Sequence, residues 1–559
     1  MLSTHTAKIA IVGFGPRALG ALESLAGQAI ERGITLAVDI FDPTAPMGAG
    51  PNYHPDQSDL CILNIPARIV DYQPPTFMQT HIGPFLEWSD GQFEPDDFPP
   101  RSSIGTYFNA RFEALKQSIP DAITIRQSTL KVTDITCVDR TWCLSSNGNE
   151  LGRFDEVLLS QGQPATAPDQ QLCRWLQHAD DHDLTLLPAY PANQLMAAAS
   201  RWENKTVAIR GLGLSTLDVV RMVTKGVGGE FAKGHYKKSG REPLKIIPFS
   251  LDGRPPIAKP ATRALDQRFD PRRGEIKTFE VALSEAMKAQ PTEAVEVTCE
   301  ALIAPVGRIH EALGGHGTLD DVRVWFDRER QEPGSQDTLS PIDGLRADIA
   351  MAYGKTTPTI GYVAGQIWRK LQDRLRDQFT RTQPGAETAN AIIGFDEAFK
   401  RYSYGPPVFA AEELLALIEA GIVGLGIVDD PDVALTEAGW LMREGDDVRV
   451  ASVMIDAVLP GPDIERVKDP LIERCLEAGY AMPKSEGLGL HTLPDGQLID
   501  PTGATTAGLC LLGRLALGSV IAVDGLDDCF GPAADRWASG VLERVAASAA
   551  DPSDRQAFS

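Results

Sequence analysis

Basic residues are scarce in this chain, and the motifs of several large enzyme classes are missing from it. Among 559 residues, 53 are Lys or Arg and 76 are Asp or Glu, which gives a formal net charge of -23. Proteins that bind nucleic acid or anionic lipid need a basic face, so this balance argues against both functions. No G-x-S-x-G, P-loop or H-E-x-x-H motif occurs. The sequence therefore offers no support for hydrolase or phosphotransfer chemistry.

Cysteine pairs and long apolar runs are also lacking. The eight cysteines are scattered singly and form no C-x-x-C pair, which predicts reduced, mostly buried thiols in a cytosolic protein. The longest apolar run, residues 414–428, contains Glu419 and is shorter than the roughly 20 residues that a membrane-spanning helix requires. Residues 1–8 have no apolar signal-peptide core. We therefore expect a soluble, cytoplasmic protein.

One histidine pair has the spacing of metal ligands on a helix. His178 and His182 stand four positions apart, but acidic residues surround them and no third ligand follows at a suitable spacing. We therefore expect these histidines to lie on a solvated face, and we predict no metal site.

A strand followed by a glycine-rich turn opens the chain. The β-branched run at 8–12 is typical of a buried parallel strand. In the turn that follows it, the first glycine permits a tight bend, the second lets the backbone approach a diphosphate, and the small alanine lets the helix pack closely. The strand at 36–41 ends at an aspartate that could accept hydrogen bonds from a ribose. The alternative is a plain strand–turn–helix. The predicted cofactor-binding residues of this segment are Gly13, Gly15, Pro16, Arg17, Ala18 and Asp42.

A second strand and glycine turn lie near the middle of the chain. The strand at 206–210 is followed by a G-x-G turn without a third glycine, and the next strand ends near residue 249 without a closing acid. A hydroxyl and a cation follow that strand, where a 2′-phosphate would need them, so the pattern favours NADPH over NADH. The alternative is a vestigial unit that binds no dinucleotide. The predicted cofactor-binding residues here are Gly211, Gly213, Ser215, Ser250 and Arg254.

These patterns predict an α/β fold with two Rossmann-like dinucleotide-binding domains and a mainly helical insertion. We expect the first part of the first domain over 1–170 and the second domain over 171–270. Residues 271–430 are predicted to be mainly helical and to form a cap that selects the substrate. We expect residues 431–546 to complete the nucleotide-binding domains.

The motifs resemble a bacterial FAD/NAD(P)-binding family whose first domain opens with G-x-G-P-R/A-x-L. In the family, an A-T-G-H motif closes the FAD domain; here residues 160–163 read Ser-Gln-Gly-Gln, which departs from that pattern. The resemblance spans most of the chain except its helical middle. Further matching segments are Phe41–Pro43, Gly48–Gly50, Tyr53–Asp56, Leu63–Ala67, Phe85–Trp88, Pro99–Arg101, Gly211–Val220, Ser239–Pro243, Gly253–Pro256, Asp469–Leu471 and Leu512–Gly513.

The family is similar to flavin-dependent N-hydroxylating monooxygenases, which include enzymes that oxidise aspartate toward nitrosuccinate. The resemblance implies FAD, NADPH, O₂ and a small amine or amino-acid substrate, with oxygen transfer through a C4a-hydroperoxyflavin. It adds Asn64, Gly162 and Gly513 to the cofactor-binding residues. It also suggests Arg68 as the cation that holds a substrate carboxylate, a surface ion pair being the alternative. No residue is assigned as catalytic. A flavin oxidoreductase without oxygen insertion and a non-catalytic FAD-binding accessory protein remain as alternative functions.

Overall fold

The structure is a computed structural model that describes residues 6–550. Residues 1–5 lie outside the described residues. The predicted first domain and the segment predicted to have no signal-peptide core both begin with these residues. Within the described range, no helix is long and apolar enough to cross a membrane.

Helices and mainly parallel sheets make up the described chain, which confirms the predicted α/β class. The strands are β1 Ala7–Val12, β2 Leu36–Phe41, β3 Ile123–Ser128, β4 Asp134–Val138, β5 Thr141–Ser146, β6 Asn149–Phe154, β7 Glu156–Leu159, β8 Thr185–Pro188, β9 Thr206–Arg210, β10 Glu230–Ala232, β11 His235–Lys237, β12 Lys245–Phe249, β13 Asp432–Thr436, β14 Gly439–Glu444, β15 Asp447–Ala451, β16 Val453–Asp456, β17 Gln497–Ile499 and β18 Thr505–Leu511. The helices are α1 Pro16–Arg32, α2 Phe85–Trp88, α3 Arg101–Ser118, α4 Gln170–Asp181, α5 Ala192–Ala199, α6 Leu214–Thr224, α7 Arg263–Asp266, α8 Arg273–Ala286, α9 Pro291–Ala312, α10 Leu319–Gln331, α11 Pro341–Ala352, α12 Ile360–Thr382, α13 Ala386–Ser403, α14 Val408–Glu419, α15 Pro470–Glu477 and α16 Pro532–Ala550.

The first sheet combines strands from the N-terminal and the C-terminal parts of the chain. Its six strands follow the order β17-β18-β7-β1-β2-β3, and every neighbouring pair is parallel except β17 with β18. The alanines and leucines of α1 cover one face together with Trp537 and Val541 of α16. The antiparallel strands β4, β5 and β6 form a separate three-stranded sheet. We call the six-stranded sheet and its covering elements the first unit. Strand β18 from the C-terminal part completes this sheet.

The second sheet has the order β12-β9-β16-β8, and all its strands are parallel. Strand β16 lies between β9 and β8, although about 240 residues separate it from β9 in sequence. The antiparallel strands β13, β14 and β15 form a sheet of their own just before it. We call the second sheet with its helices α5 and α6 the second unit. The long segment between β12 and β13 is helical, from α7 to α14.

The helical region has its own apolar core. Aromatic side chains of α8, α12 and α13 pack there, including Phe279, Trp368 and Phe399. The Trp368 indole N–H donates to Asp396 at 2.8 Å, so the buried polar atom of this core tryptophan is satisfied. This separate core unites helices α8, α9, α10, α12 and α13, whereas α11 and α14 pack against the second unit.

The side chains that raised the questions of metal and disulfide chemistry have ordinary structural roles. The predicted solvated face is wrong for His178, which is buried against the ring of Trp440 at 5.8 Å, whereas His182 is exposed. No group of three His, Cys, Asp or Glu side chains in residues 6–550 is arranged to hold a metal ion. All eight cysteines are free, and five of them are buried, as predicted.

Candidate functional site

The first glycine turn joins the end of β1 to the start of α1. Gly13 has φ +83°, and a Cβ atom there would lie 2.6 Å from the carbonyl oxygen of Ser160, so only glycine fits. Gly15 is the N-cap of α1, Pro16 is its first residue, and no side chain of the described chain caps this helix start. A Cβ atom at Gly15 would meet only Gly50, at an ordinary 3.6 Å. The main-chain N–H groups of this turn are therefore arranged as in an anion site at a helix start.

Asp42, just beyond β2, stabilises this turn through its carboxylate. Its carboxylate accepts hydrogen bonds from the main-chain N–H groups of Phe14, at 2.5 Å, and Thr44, at 2.7 Å. The side chain is buried at 7% exposure. The structure thus gives Asp42 a role in shaping the glycine turn, and the ribose contact stays a prediction. Ala18 is fully buried where α1 meets the sheet, in agreement with the need for a small residue.

Arg17 points away from the helix start and toward the C-terminal part of the chain. Its guanidinium donates to the Asp528 carboxylate at 2.5 Å and to the Val523 carbonyl at 3.0 Å. These contacts occupy the guanidinium on the protein side, and a contact between Arg17 and a diphosphate stays a prediction. A Cβ atom at Gly513, which has φ +105°, would lie 3.0 Å from Nε of Arg17. Gly513 and the first glycine turn are thus brought together through Arg17.

Gly162 and Arg68 complete the predicted residues of the first unit. Gly162 has φ +69° just beyond β7, and no described atom would meet an added Cβ within 4 Å. Arg68 donates from Nε to the Asp96 carboxylate at 2.7 Å, with 18% of its side chain exposed. The structure therefore shows the ion pair that the sequence left as the alternative to a substrate contact.

The second glycine turn repeats the geometry of the first. Gly211 has φ +111°, and Gly213 is the N-cap of α6 without a capping side chain among the residues described. A Cβ atom at Gly213 would meet no atom within 4 Å in the described structure. Ser215 lies in the first turn of α6, while the hydroxyl of Thr216 donates to the Gly211 carbonyl at 2.8 Å. Gly213 and Ser215 thus lie at an open helix start.

The predicted phosphate-binding pair beyond β12 contacts protein groups instead. Ser250 donates its hydroxyl to Asp252 at 2.6 Å. Arg254 donates to the carbonyl oxygens of Leu339, at 2.7 Å, and Asp337, at 2.6 Å. The sequence pattern did not point to Asp252, because this residue lies too far beyond β12 to be the acid at the end of that strand. An acid near this position opposes a 2′-phosphate, and a contact of Ser250 and Arg254 with such a phosphate stays a prediction.

A buried polar cluster joins the first unit to the second. Arg101 begins α3, and its guanidinium pairs with Asp218 of α6 and donates to the Tyr190 hydroxyl at 2.9 Å. Tyr190 in turn donates to Asp218 at 2.6 Å. Burial raises the pKa of Asp218, and the charge of Arg101 opposes that rise. Because α6 begins at the second glycine turn, this cluster fixes that turn relative to the first unit. Of its members, Arg101 and Asp218 lay in matching segments, whereas Tyr190 did not.

Lys259 is a further residue that the sequence analysis missed. It lies between β12 and α7, is 8% exposed, and donates from Nζ to the Asn64 carbonyl at 2.7 Å. Burial, with a contribution from Arg369, lowers the pKa of Lys259 to about 7. The available signal was a lysine in the apolar, proline-flanked stretch at 255–260. Asn64, a predicted cofactor-binding residue, is thus linked to the second unit.

Comparison with known proteins shows what this chain is similar to. Residues 10–164 match the model of a family described as FAD-NAD(P)-binding. The chain is 27% identical to nitrosuccinic acid synthase npaA of Aspergillus oryzae, over 90% of this chain and 86% of that protein. It is 24% identical to an L-aspartate N-monooxygenase (nitrosuccinate-forming) of Streptomyces davaonensis, over 86% of each chain.

Among solved structures, the chain is similar to OTEMO in complex with FAD and NADP. The TM-score is 0.45 and the identity 12%, over 98% of this chain and 84% of that one. The family match and the two relatives confirm the predicted resemblance. With it, they confirm the prediction of an oxidoreductase that uses FAD and NAD(P).

Proposed function

We propose that this chain is an FAD- and NADPH-dependent monooxygenase that N-hydroxylates a small amino acid, with L-aspartate as the first substrate to test. The observation that carries the proposal is the pair of glycine turns. Each turn starts a helix that no side chain of residues 6–550 caps. The substrate class is supported by the Aspergillus and Streptomyces relatives, whose names specify nitrosuccinate as the product.

The first glycine turn fits the diphosphate of FAD. A helix start carries partial positive charge on its free N–H groups, and an anion there is stabilised by about 0.3–1 kcal/mol from the helix dipole alone. The first turn of α1 contains no acidic residue that would repel the diphosphate. Because Gly15 and Gly50 have no side chains, a ligand can approach the main chain closely. When bound, the flavin supplies the electron transfer and the reaction with O₂, while the protein orients the reactants.

The second glycine turn fits the diphosphate of a nicotinamide dinucleotide in the same way. Burial and the neighbouring Arg401 lower the pKa of Arg254, which means that two guanidinium groups lie close together beyond β12. Because Arg401 already pairs with the Asp337 carboxylate, Arg254 is the cation that would contact a 2′-phosphate, and its position favours NADPH as the donor. Asp252 opposes the same phosphate, so NADPH and NADH are to be compared directly.

Product analysis with FAD-loaded protein tests the proposal. With NADPH, L-aspartate and air, we expect O₂ uptake and an N-hydroxylated or nitroso product, detected by mass spectrometry, in proportion to the NADPH oxidised. Hydrogen peroxide as the sole product would instead support an oxidoreductase without oxygen insertion. Under argon, NADPH should bleach the flavin; a flavin that stays oxidised would identify an accessory protein.

A matched pair of glycine variants tests the second turn. Gly213→Ala adds a methyl group that no described atom contacts, so stability should not change. The methyl group would occupy the path of the dinucleotide, and loss of one or two charge-assisted hydrogen bonds corresponds to a KM for NADPH about 10- to 100-fold higher. Gly385→Ala is the control, because Gly385 is also an uncapped N-cap with open space around it in the described structure. Equal effects of both variants would contradict a dinucleotide at the second turn.

A further inference from the structure

Lys259 lies where the two units and the helical region meet. Its chain segment leaves the second unit after β12, its ammonium contacts the Asn64 carbonyl of the first unit at 2.7 Å, and Arg369 of α12 is near enough to lower its pKa. Within residues 6–550, this hydrogen bond to a neutral carbonyl is the ammonium's only one, and no ion pair is formed. A buried ammonium thus has two N–H donors without a described partner.

The neighbouring carboxylates are already engaged with other groups. Asp266 pairs with Arg369 and with Lys370, the latter at 2.8 Å. Asp527 accepts a hydrogen bond from the Tyr72 hydroxyl at 2.8 Å. Both acids raise the pKa of Lys259, but burial and Arg369 outweigh them. Burying a charge without a counter-ion is unfavourable, and such groups concentrate at functional sites.

We propose that Lys259 binds a carboxylate group of the substrate. The proposal rests on the proposed function, because an acidic amino acid brings the counter-ion that the protein does not provide. A carboxylate beside Nζ would also screen the repulsion between Lys259 and Arg369. The ammonium form of Lys259 is then favoured in the complex, so that binding draws a proton from solvent.

Calorimetric titration of the FAD-loaded protein with succinate and with L-aspartate tests this assignment. The titrations are run at pH 7.5 with saturating NADP⁺, in two buffers of different ionisation enthalpy, so that no turnover occurs. With a pKa of about 7 in the free protein, we expect an uptake of roughly three-quarters of a proton per carboxylate ligand bound. Failure of the unaltered protein to bind either ligand, or binding without proton uptake, would overturn the proposal.

Variants separate a binding role from a structural one. Lys259→Met should abolish the proton uptake and weaken succinate binding about 10- to 100-fold. Lys259→Arg should recover part of the affinity without any proton uptake, because a guanidinium stays charged. Lys245→Met is the matched control: Lys245 lies at the opposite end of β12 and its Nζ also donates only to carbonyls, of Gly421 at 3.1 Å and Val423 at 3.2 Å.

Other outcomes identify other roles. If Lys259→Met weakens NADP⁺ and leaves succinate unaffected, the lysine serves a cofactor phosphate and the proposal is wrong. If the methionine variant does not fold, the arginine variant and Lys259→Gln decide, each checked by its flavin content. Proton uptake with succinate in a protein that never oxidises aspartate would reject the proposed function and keep Lys259 as a carboxylate site. Oxidation of aspartate with an unchanged KM in the Lys259 variants would reject Lys259 as a carboxylate site and keep the proposed function.

Discussion

The burial of Lys259 predicts a specific pH dependence of stability. The pKa of this lysine falls from 10.5 to about 7 in the folded protein. Between these two pH values the unfolded chain holds the proton and the folded chain does not, so the wild-type protein gains stability as pH rises from 7 toward 10.5. Methionine at the same position has no proton to lose. The advantage of Lys259→Met over the wild type should therefore shrink as pH rises.

The magnitude follows from the displacement of the pKa. A fall from 10.5 to about 7 corresponds to about 5 kcal/mol of unfolding free energy well below pH 7, at about 1.4 kcal/mol per pH unit. About 2 kcal/mol of this difference should disappear between pH 7 and pH 9. The lost hydrogen bond to Asn64 and any change in packing shift the comparison equally at both pH values. The change with pH, rather than the absolute difference, is therefore the quantity to measure.

Urea unfolding of both proteins at pH 7, 8 and 9, in their FAD-loaded form, measures this difference. Lys355→Met supplies the control, because Lys355 is exposed and its replacement should give a difference that does not vary with pH. A Lys259→Met advantage that stays constant, or one that grows toward pH 9, would refute the claim that an uncompensated ammonium is buried there. Such a result would also remove one support from the carboxylate-binding role.

Two further predictions concern the glycine turn and the junction between the units. Gly15→Ala should leave the melting temperature of the flavin-free protein unchanged and raise the Kd for FAD about 10- to 100-fold, whereas Gly13→Ala should prevent folding because its Cβ would meet main-chain atoms at 2.6 Å; flavin fluorescence titration and thermal melts check both. Asp218→Asn removes the ion pair with Arg101 and should slow flavin reduction by NADPH at least about tenfold with FAD affinity unchanged, as measured by stopped flow under argon; equal reduction rates would contradict a positioning role.

The local parts of the fold were predictable because contiguous residues encode them. The run at 36–41 forms β2 with the predicted bounds, and the run at 8–12 forms most of β1. Both glycine turns precede helices for the same reason: the strand, the turn and the helix start lie within about 15 residues of one another, where spacing alone carries the information.

The remaining parts depend on contacts between distant segments, which spacing does not reveal. Arg17 donates to Asp528, which lies 511 positions away in sequence. The local glycine motif contains no information about this partner. The contact between Lys259 and Asn64 spans 195 positions. The pairing of β18 with β7 could not be predicted either, because the hydrophobic periodicity of a strand does not determine which strand lies next to it.

The side chains singled out above share one topological position, which explains why such distant segments meet. Asn64, Lys259 and Asp527 belong to the segments that follow β2, β12 and β18 in sequence, and both glycine turns begin directly at the carboxyl ends of β1 and β9. Ligands of open α/β sheets bind at these ends. The segment that carries Lys259 also leads directly into α7, which makes the second unit continuous with the helical region. An anion held by Lys259 would therefore tie the helical region, the dinucleotide unit and the Asn64 loop together. Substrate binding and the relative placement of the two glycine turns would then be thermodynamically coupled, because the same contacts would contribute to both.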